Sequence, residues 1–148
     1  LSENNAPQDV AARVLEVIGV ISFSKSGSTP RFELPEQKIV SDADKLDAMG
    51  AIGVCRTVMY SVATGRELFN AAEFPTEHLT PEEYKDKNRR GNHSINHFFD
   101  KLLRLKGAMQ TETGRRMAER RHLFMVAFLE EFFEEMGAVE WLEYLRRR

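Results

Sequence analysis

The sequence predicts an all-α, single-domain fold, on three observations. Apolar residues recur at helical spacing through most of the chain, and β-branched runs are nearly absent. Turn-forming residues gather in two stretches, near 22–35 and 63–93. With 148 residues, 42% of them hydrophobic and 30% charged, one domain can close a core.

Taken in order, Val10, Val14, Val17, Ile18 and Ile21 share a helix face, with Pro7 early in that helix. Ser22 to Pro35 reads as a loop. A second helix is expected from Ser41 to about Val62. Ala48, Met49, Ile52, Val54, Val58 and Met59 make it apolar on nearly every side, as in a central, buried helix. Gly50 and Gly53 in it suit close approach of a neighbouring helix or a ligand. The long connection 63–93 holds a short helical start, Thr80-Pro81-Glu82-Glu83. Phe98, Leu102 and Leu105 mark a helix over 94–108. The next begins at Thr111 or Thr113 and ends at Met136–Gly137; Met117, Leu123, Phe124, Phe128, Leu129 and Phe132 keep its period, and the Phe124/Phe128/Phe132 stripe reads as core or a subunit contact. Residues 137–148 form a short helix with Trp141, Leu142 and Leu145, then a basic tail.

The net charge is -2, which gives no global field for nucleic acid or anionic membranes. An RNA-binding role for Arg115, Arg116, Arg120 and Arg121 is disfavoured, because Glu119 interrupts the run and aromatic residues do not interleave with it. No stretch reaches the roughly 20 apolar residues that span a bilayer. The single cysteine, Cys55, excludes an internal disulfide and a cysteine-based zinc site; mid-helix in an apolar turn, it reads as inert. This suits a reducing, cytoplasmic setting.

Chemistry concentrates in Asp42, Asp44 and Asp47, three carboxylates within six residues. Ser41 and Asp44 have the spacing of a capping box, and acids suit a helix start. Asp44 and Asp47 also share a face that continues as Ala48 and Ala51, like the floor of a pocket, while Asp42 points the other way. Spacing leaves both readings open. His93 and His97 stand four apart, as metal-chelating histidines do, but Ser94 as N-cap would leave His93 outside the helix. Lys25, in a Ser- and Gly-containing loop, could hold a phosphate.

The segments Ile21–Lys25 (ISFSK), Asp42–Arg56 (DADKLDAMGAIGVCR) and Ser94–Met125, in this order and spacing, resemble the HD-domain superfamily of metal-dependent phosphohydrolases. The resemblance covers the chain from about Asp9 to Phe133. It implies a helical bundle and a divalent metal (Mn, Mg, Fe, Ni or Co) held by a histidine, a His-Asp pair and a distant aspartate. Asp44, within Ala43-Asp44-Lys45-Leu46, matches that aspartate and becomes the expected metal ligand. Capping and ligation can coexist, one oxygen serving each. Lys25 and Arg56 are expected to bind substrate phosphate. His97 and Lys101 are expected beside the reacting group, with Asp47 orienting a water or a base. The departure lies in the histidines: there is no His-Asp dipeptide, and His78, His93, His97 and His122 all follow Asp44. The chain opens on Leu1 rather than Met and reads as the C-terminal part of such a protein, with two or three helices and the other ligands upstream. On this reading it holds no metal tightly and is inactive alone. The complete protein would cleave nucleotides or small phosphate esters. The alternative is a non-catalytic helical module that self-associates, as a homo-oligomer, through its aromatic face.

Overall fold

A computed structural model describes residues 7–21, 32–76, 79–80, 82–83, 86 and 88–148. Among them six α-helices and one 3-10 helix occur, and no strand, as the sequence predicts. These are α1 (Gln8–Ile21), α2 (Pro35–Asp47), α3 (Gly50–Thr64), α4 (Ser94–Asp100), the 3-10 helix Leu102–Ala108, α5 (Glu112–Glu135) and α6 (Val139–Arg146).

The expected helix from Ser41 to Val62 is two helices. α2 starts at Pro35, whose missing N–H costs nothing at the first helical position. The Gln37 side chain accepts from the backbone N–H groups of Leu34 (3.1 Å) and Glu33 (2.9 Å), which ties down that start. Ser41 is therefore not a cap. It lies buried in mid-helix, where its hydroxyl and carbonyl take the Lys45 ammonium. The chain leaves helical geometry at Met49 and re-enters through Gly50 at φ 73°. That left-handed turn favours glycine. Arg121 of α5 packs over Gly50 and donates to the Leu46 carbonyl, an orphan acceptor at the end of α2. Gly53 serves the turn itself, since a Cβ there would collide with the Ala48 carbonyl.

α3 is not central. Ile52 (63% exposed), Met59 (70%) and Val62 (79%) face outward, and Cys55 is exposed too. The core instead lies between α5, α4, the 3-10 helix and α6, around Phe98, Leu105, Met125, Leu129, Phe133 and Trp141. Trp141 donates through Nε1 to the Ala71 carbonyl (3.0 Å) and stacks on Phe74, pinning the 66–76 connection to α6. α1 lies against α2, and none of its described side chains belongs to this core; its Leu15 and Ile18 are exposed.

The buried stripe of α5 is Ala118, Met125, Leu129 and Phe133. The expected stripe lies one position away: Phe124 is exposed, and Phe128 and Phe132 only flank the core. The helix begins at Thr111, whose hydroxyl accepts from Gly114 N (2.9 Å), and ends at Gly137 with φ 63°. The expected 94–108 helix changes type at Lys101 (φ -137°, ψ -59°), and its 3-10 continuation eclipses Leu102 and Leu105 on one buried side. Thr80 is the expected cap, and Glu83 answers it: Glu83 N donates to Thr80 Oγ1 (3.2 Å) and Thr80 N to the Glu83 carboxylate (2.8 Å). The 22–31 part of the predicted loop, Lys25 included, and His78 lie outside the described residues.

Candidate functional site

α3 and α4 flank an open cleft of about 750 Å³. Gly53, Arg56, Thr57, Tyr60 and Thr64 line it from α3, and their spacing places them on one helix face. His97 and Lys101 line it from α4, with Asp86, Asn88 and Asn92 on a third side. Ser61 and Ser94 share a hydrogen bond between the two helices. The N–H groups of Ser94 and Ile95 donate to the carbonyls of Glu67 (3.0 Å) and Leu68 (3.1 Å), which fixes the first turn of α4 beside the end of α3.

Of the expected site residues, Arg56, His97 and Lys101 meet in this cleft. Asp47 is exposed and forms an ion pair with Arg56, holding that guanidinium near the cleft. Asp44 is exposed within α2 and does not line the cleft, and it is not the cap of that helix. The inward carboxylate is Asp42, which accepts from Gln110 N (2.8 Å), Thr111 N (2.8 Å) and Thr111 Oγ1 (2.7 Å). Asp42 thus binds α2 to the start of α5. Gly114 makes room for it, because a Cβ there would collide with the carboxylate.

Arg66 also lines the cleft, and little in its local sequence points to it. It follows Gly65, the left-handed C-cap of α3 (φ 65°), and donates to the Asn92 carbonyl (3.0 Å) and side chain. An arginine just after a helix-ending glycine is the one signal that could have found it.

The cleft carries the cations Arg56, Arg66 and Lys101 and the carboxylates Glu67 and Asp86. Burial pushes the His97 imidazole from its usual 6.5 down to about 4, and the nearby Lys101, Arg66 and Arg89 charges push the same way. His97 is therefore neutral at pH 7. His93 caps α4: its Nδ1 accepts from Asn96 N (3.2 Å), so Nε2 carries the proton and faces the Glu73 carbonyl (3.0 Å). Burial lowers its pKa as well. With both ring nitrogens engaged, His93 cannot chelate a metal together with His97, and the expectation that Ser94 caps the helix is corrected.

Among the described residues no group of three or more His, Cys, Asp or Glu side chains could hold a metal ion. Asp44 alone does not make a site, since a hard divalent cation needs several ligands to compete with water. The described residues therefore do not fit, by themselves, the metal that the fold family implies.

No family model matches the chain. It is 36% identical over 131 residues to the protein YpgQ of Bacillus subtilis, an alignment covering 88% of this chain and 55% of YpgQ. The chain thus spans about half the length of this curated relative. A crystal structure of a Lactobacillus plantarum protein superposes with a TM-score of 0.81 at 37% identity, over 93% of this chain and 66% of that one. The structure of YpgQ in complex with ADP gives 0.65 at 31%, over 90% and 58%. An HD-superfamily hydrolase from Bacillus thuringiensis gives 0.65 at 34%, over 93% and 59%. Among the described residues no helix is long and apolar enough to cross a membrane.

Proposed function

From the premise that this chain has the HD-domain-like fold of the HD-superfamily hydrolases, we propose that the α3–α4 cleft binds the phosphoryl groups of a small phosphorylated ligand, a nucleotide or a simple phosphate ester. The carrying observation is the convergence of Arg56, Arg66, His97 and Lys101 on one cleft. The ADP found with YpgQ supports this reading by likeness. The Arg56 guanidinium can fork onto two phosphoryl oxygens, with Asp47 orienting it from behind. Lys101 supplies a point charge. Neutral His97 donates one hydrogen bond without adding charge. Together these groups stabilise negative charge on a phosphoryl group, which is the electrostatic half of phosphoryl-transfer catalysis. By likeness to the HD-superfamily hydrolases the activity would be phosphohydrolysis.

The test is calorimetric titration of this chain with pyrophosphate at low salt, without metal. Saturable binding is expected, weakened about tenfold or more in Lys101→Ala, and weakened by added salt. Absence of binding, or equal binding by Lys101→Ala, contradicts the proposal.

A second reading is self-association, and one observation favours it. Leu15, Ile18, Ile52, Met59 and Val62 leave the apolar faces of α1 and α3 uncovered. Of the aromatic face first considered, Phe124 is exposed while Phe128 and Phe132 flank the core. Light scattering over a concentration series decides it. Association through α3 predicts a mass that falls towards monomer in Met59→Lys and does not respond to pyrophosphate.

A further inference from the structure

α4 and Lys101, which follows it directly, carry two parallel pairs of side chains. His97 and Lys101, four apart, face the cleft. Asn96 and Asp100, also four apart and one residue behind, are buried and grip the segment 88–93 that forms the cleft's polar wall. Asp100 pairs with Arg89, the two side chains being 1% and 9% exposed. Asn96 donates to the carbonyls of Gly91 (2.9 Å) and Glu73 (2.9 Å). The Glu73 carboxylate accepts from Gly91 N (2.6 Å). Gly91 sits at φ 73°, and a Cβ there would press on the Asn96 amide at 3.0 Å. The wall residues follow from this anchor: Asn92 N donates to the Arg89 carbonyl (3.2 Å), and Asn92 in turn holds Arg66.

The ion pair is an expensive way to fasten a loop. Burial alone pushes the Asp100 carboxyl up, against the pull of Arg89. Arg89 Nε, Asp100 Oδ1 and Asn96 Oδ1 are buried without a hydrogen-bond partner. Buried pairs with such gaps add little to stability, and their best-attested use is to specify one geometry.

We propose that Asn96 and Asp100, acting through Gly91 and Arg89, form a clamp that sets the polar wall at a fixed distance from His97 and Lys101, so that Asp100 is a positioning residue for ligand recognition. The clamp deepens the phosphoryl-cleft reading and rests on it. A ligand longer than its phosphates has to satisfy both sides of the cleft at once. The clamp therefore selects for phosphate esters whose remaining part reaches Asn88 and Asn92, over bare phosphates.

The experiment compares wild type, Asp100→Asn and Asp100→Glu by titration with ADP and with pyrophosphate, and by amide hydrogen exchange without ligand. In Asp100→Asn, ADP binding is expected to weaken about tenfold, and pyrophosphate binding only about threefold, the share that reaches Arg66 through Asn92. Exchange should rise at 88–93 and stay unchanged at Met125, Leu129 and Phe133 of α5. Asp100→Glu should restore part of the ADP affinity. Equal loss of both ligands, no loss of ADP, or faster exchange spread through α5 overturns the clamp. A wild type that binds neither ligand overturns the cleft reading instead, and exchange at 88–93 then decides the clamp alone.

Discussion

Replacing Asp42 by Ala is expected to destabilise the protein by about 3–5 kcal/mol. The carboxylate is buried and accepts three hydrogen bonds from Gln110 and Thr111. Each such bond to a charged group is worth about 1.5–3 kcal/mol, and the three overlap rather than add. Removal also strands two backbone N–H groups at the start of α5. Those groups sit where α2 meets the longest helix, so the loss reaches the core through Ala118 and Met125. Asp42→Asn keeps one acceptor and is expected to cost about half as much. Urea denaturation measures both. Asp44→Ala is the control: its side chain is exposed, and a change within about 0.5 kcal/mol is expected. The opposite ranking would mean that Asp44, not Asp42, holds the fold.

Stability is also expected to fall as the pH drops from 7 to 4, with His97 a principal cause. Its pKa is lowered in the folded state from 6.5 to about 4. The unfolded chain therefore binds more protons between those values, and the stabilisation is complete above about pH 6.5 and lost progressively towards pH 4. A displacement of that size corresponds to about 3 kcal/mol. His93, lowered by burial, adds in the same direction. Asp100, raised by burial, acts oppositely. The His97→Gln variant should show a flatter dependence of its urea midpoint on pH over this window. A slope equal to wild type would mean that the imidazole is not desolvated.

Helices were legible in the sequence because their signals are local. Thr111 and Gly137 bracket α5, and Thr80 caps its short turn, as read. What the sequence could not resolve was phase. On α5 two adjacent stripes are both apolar, and only packing against α4 and α6 chooses Met125, Leu129 and Phe133 over Phe124. The same limit governed the carboxylates. Spacing placed Asp42 opposite Asp44 but could not say which side faced the protein. The break at Met49–Gly50 was hidden because its cause, Arg121, lies far away in the chain. Ser94 looked the better cap, yet His93 does the capping, because the Glu73 carbonyl orients its ring. Of the residues lining the cleft, Arg56, His97 and Lys101 lie in segments that the motif resemblance singles out, whereas Arg66 and the Arg89–Asp100 pair depend on how a long connection folds back.

The most direct test follows the His97 imidazole by NMR through a pH titration, with and without pyrophosphate. Burial is the main reason this ring stays neutral, with the Lys101, Arg66 and Arg89 charges adding to it; a dianion seated beside Lys101 and Arg66 would offset the cationic share, so the His97 pKa should climb from about 4. A titration curve that pyrophosphate leaves in place would mean that no phosphoryl group binds beside His97, contradicting the account.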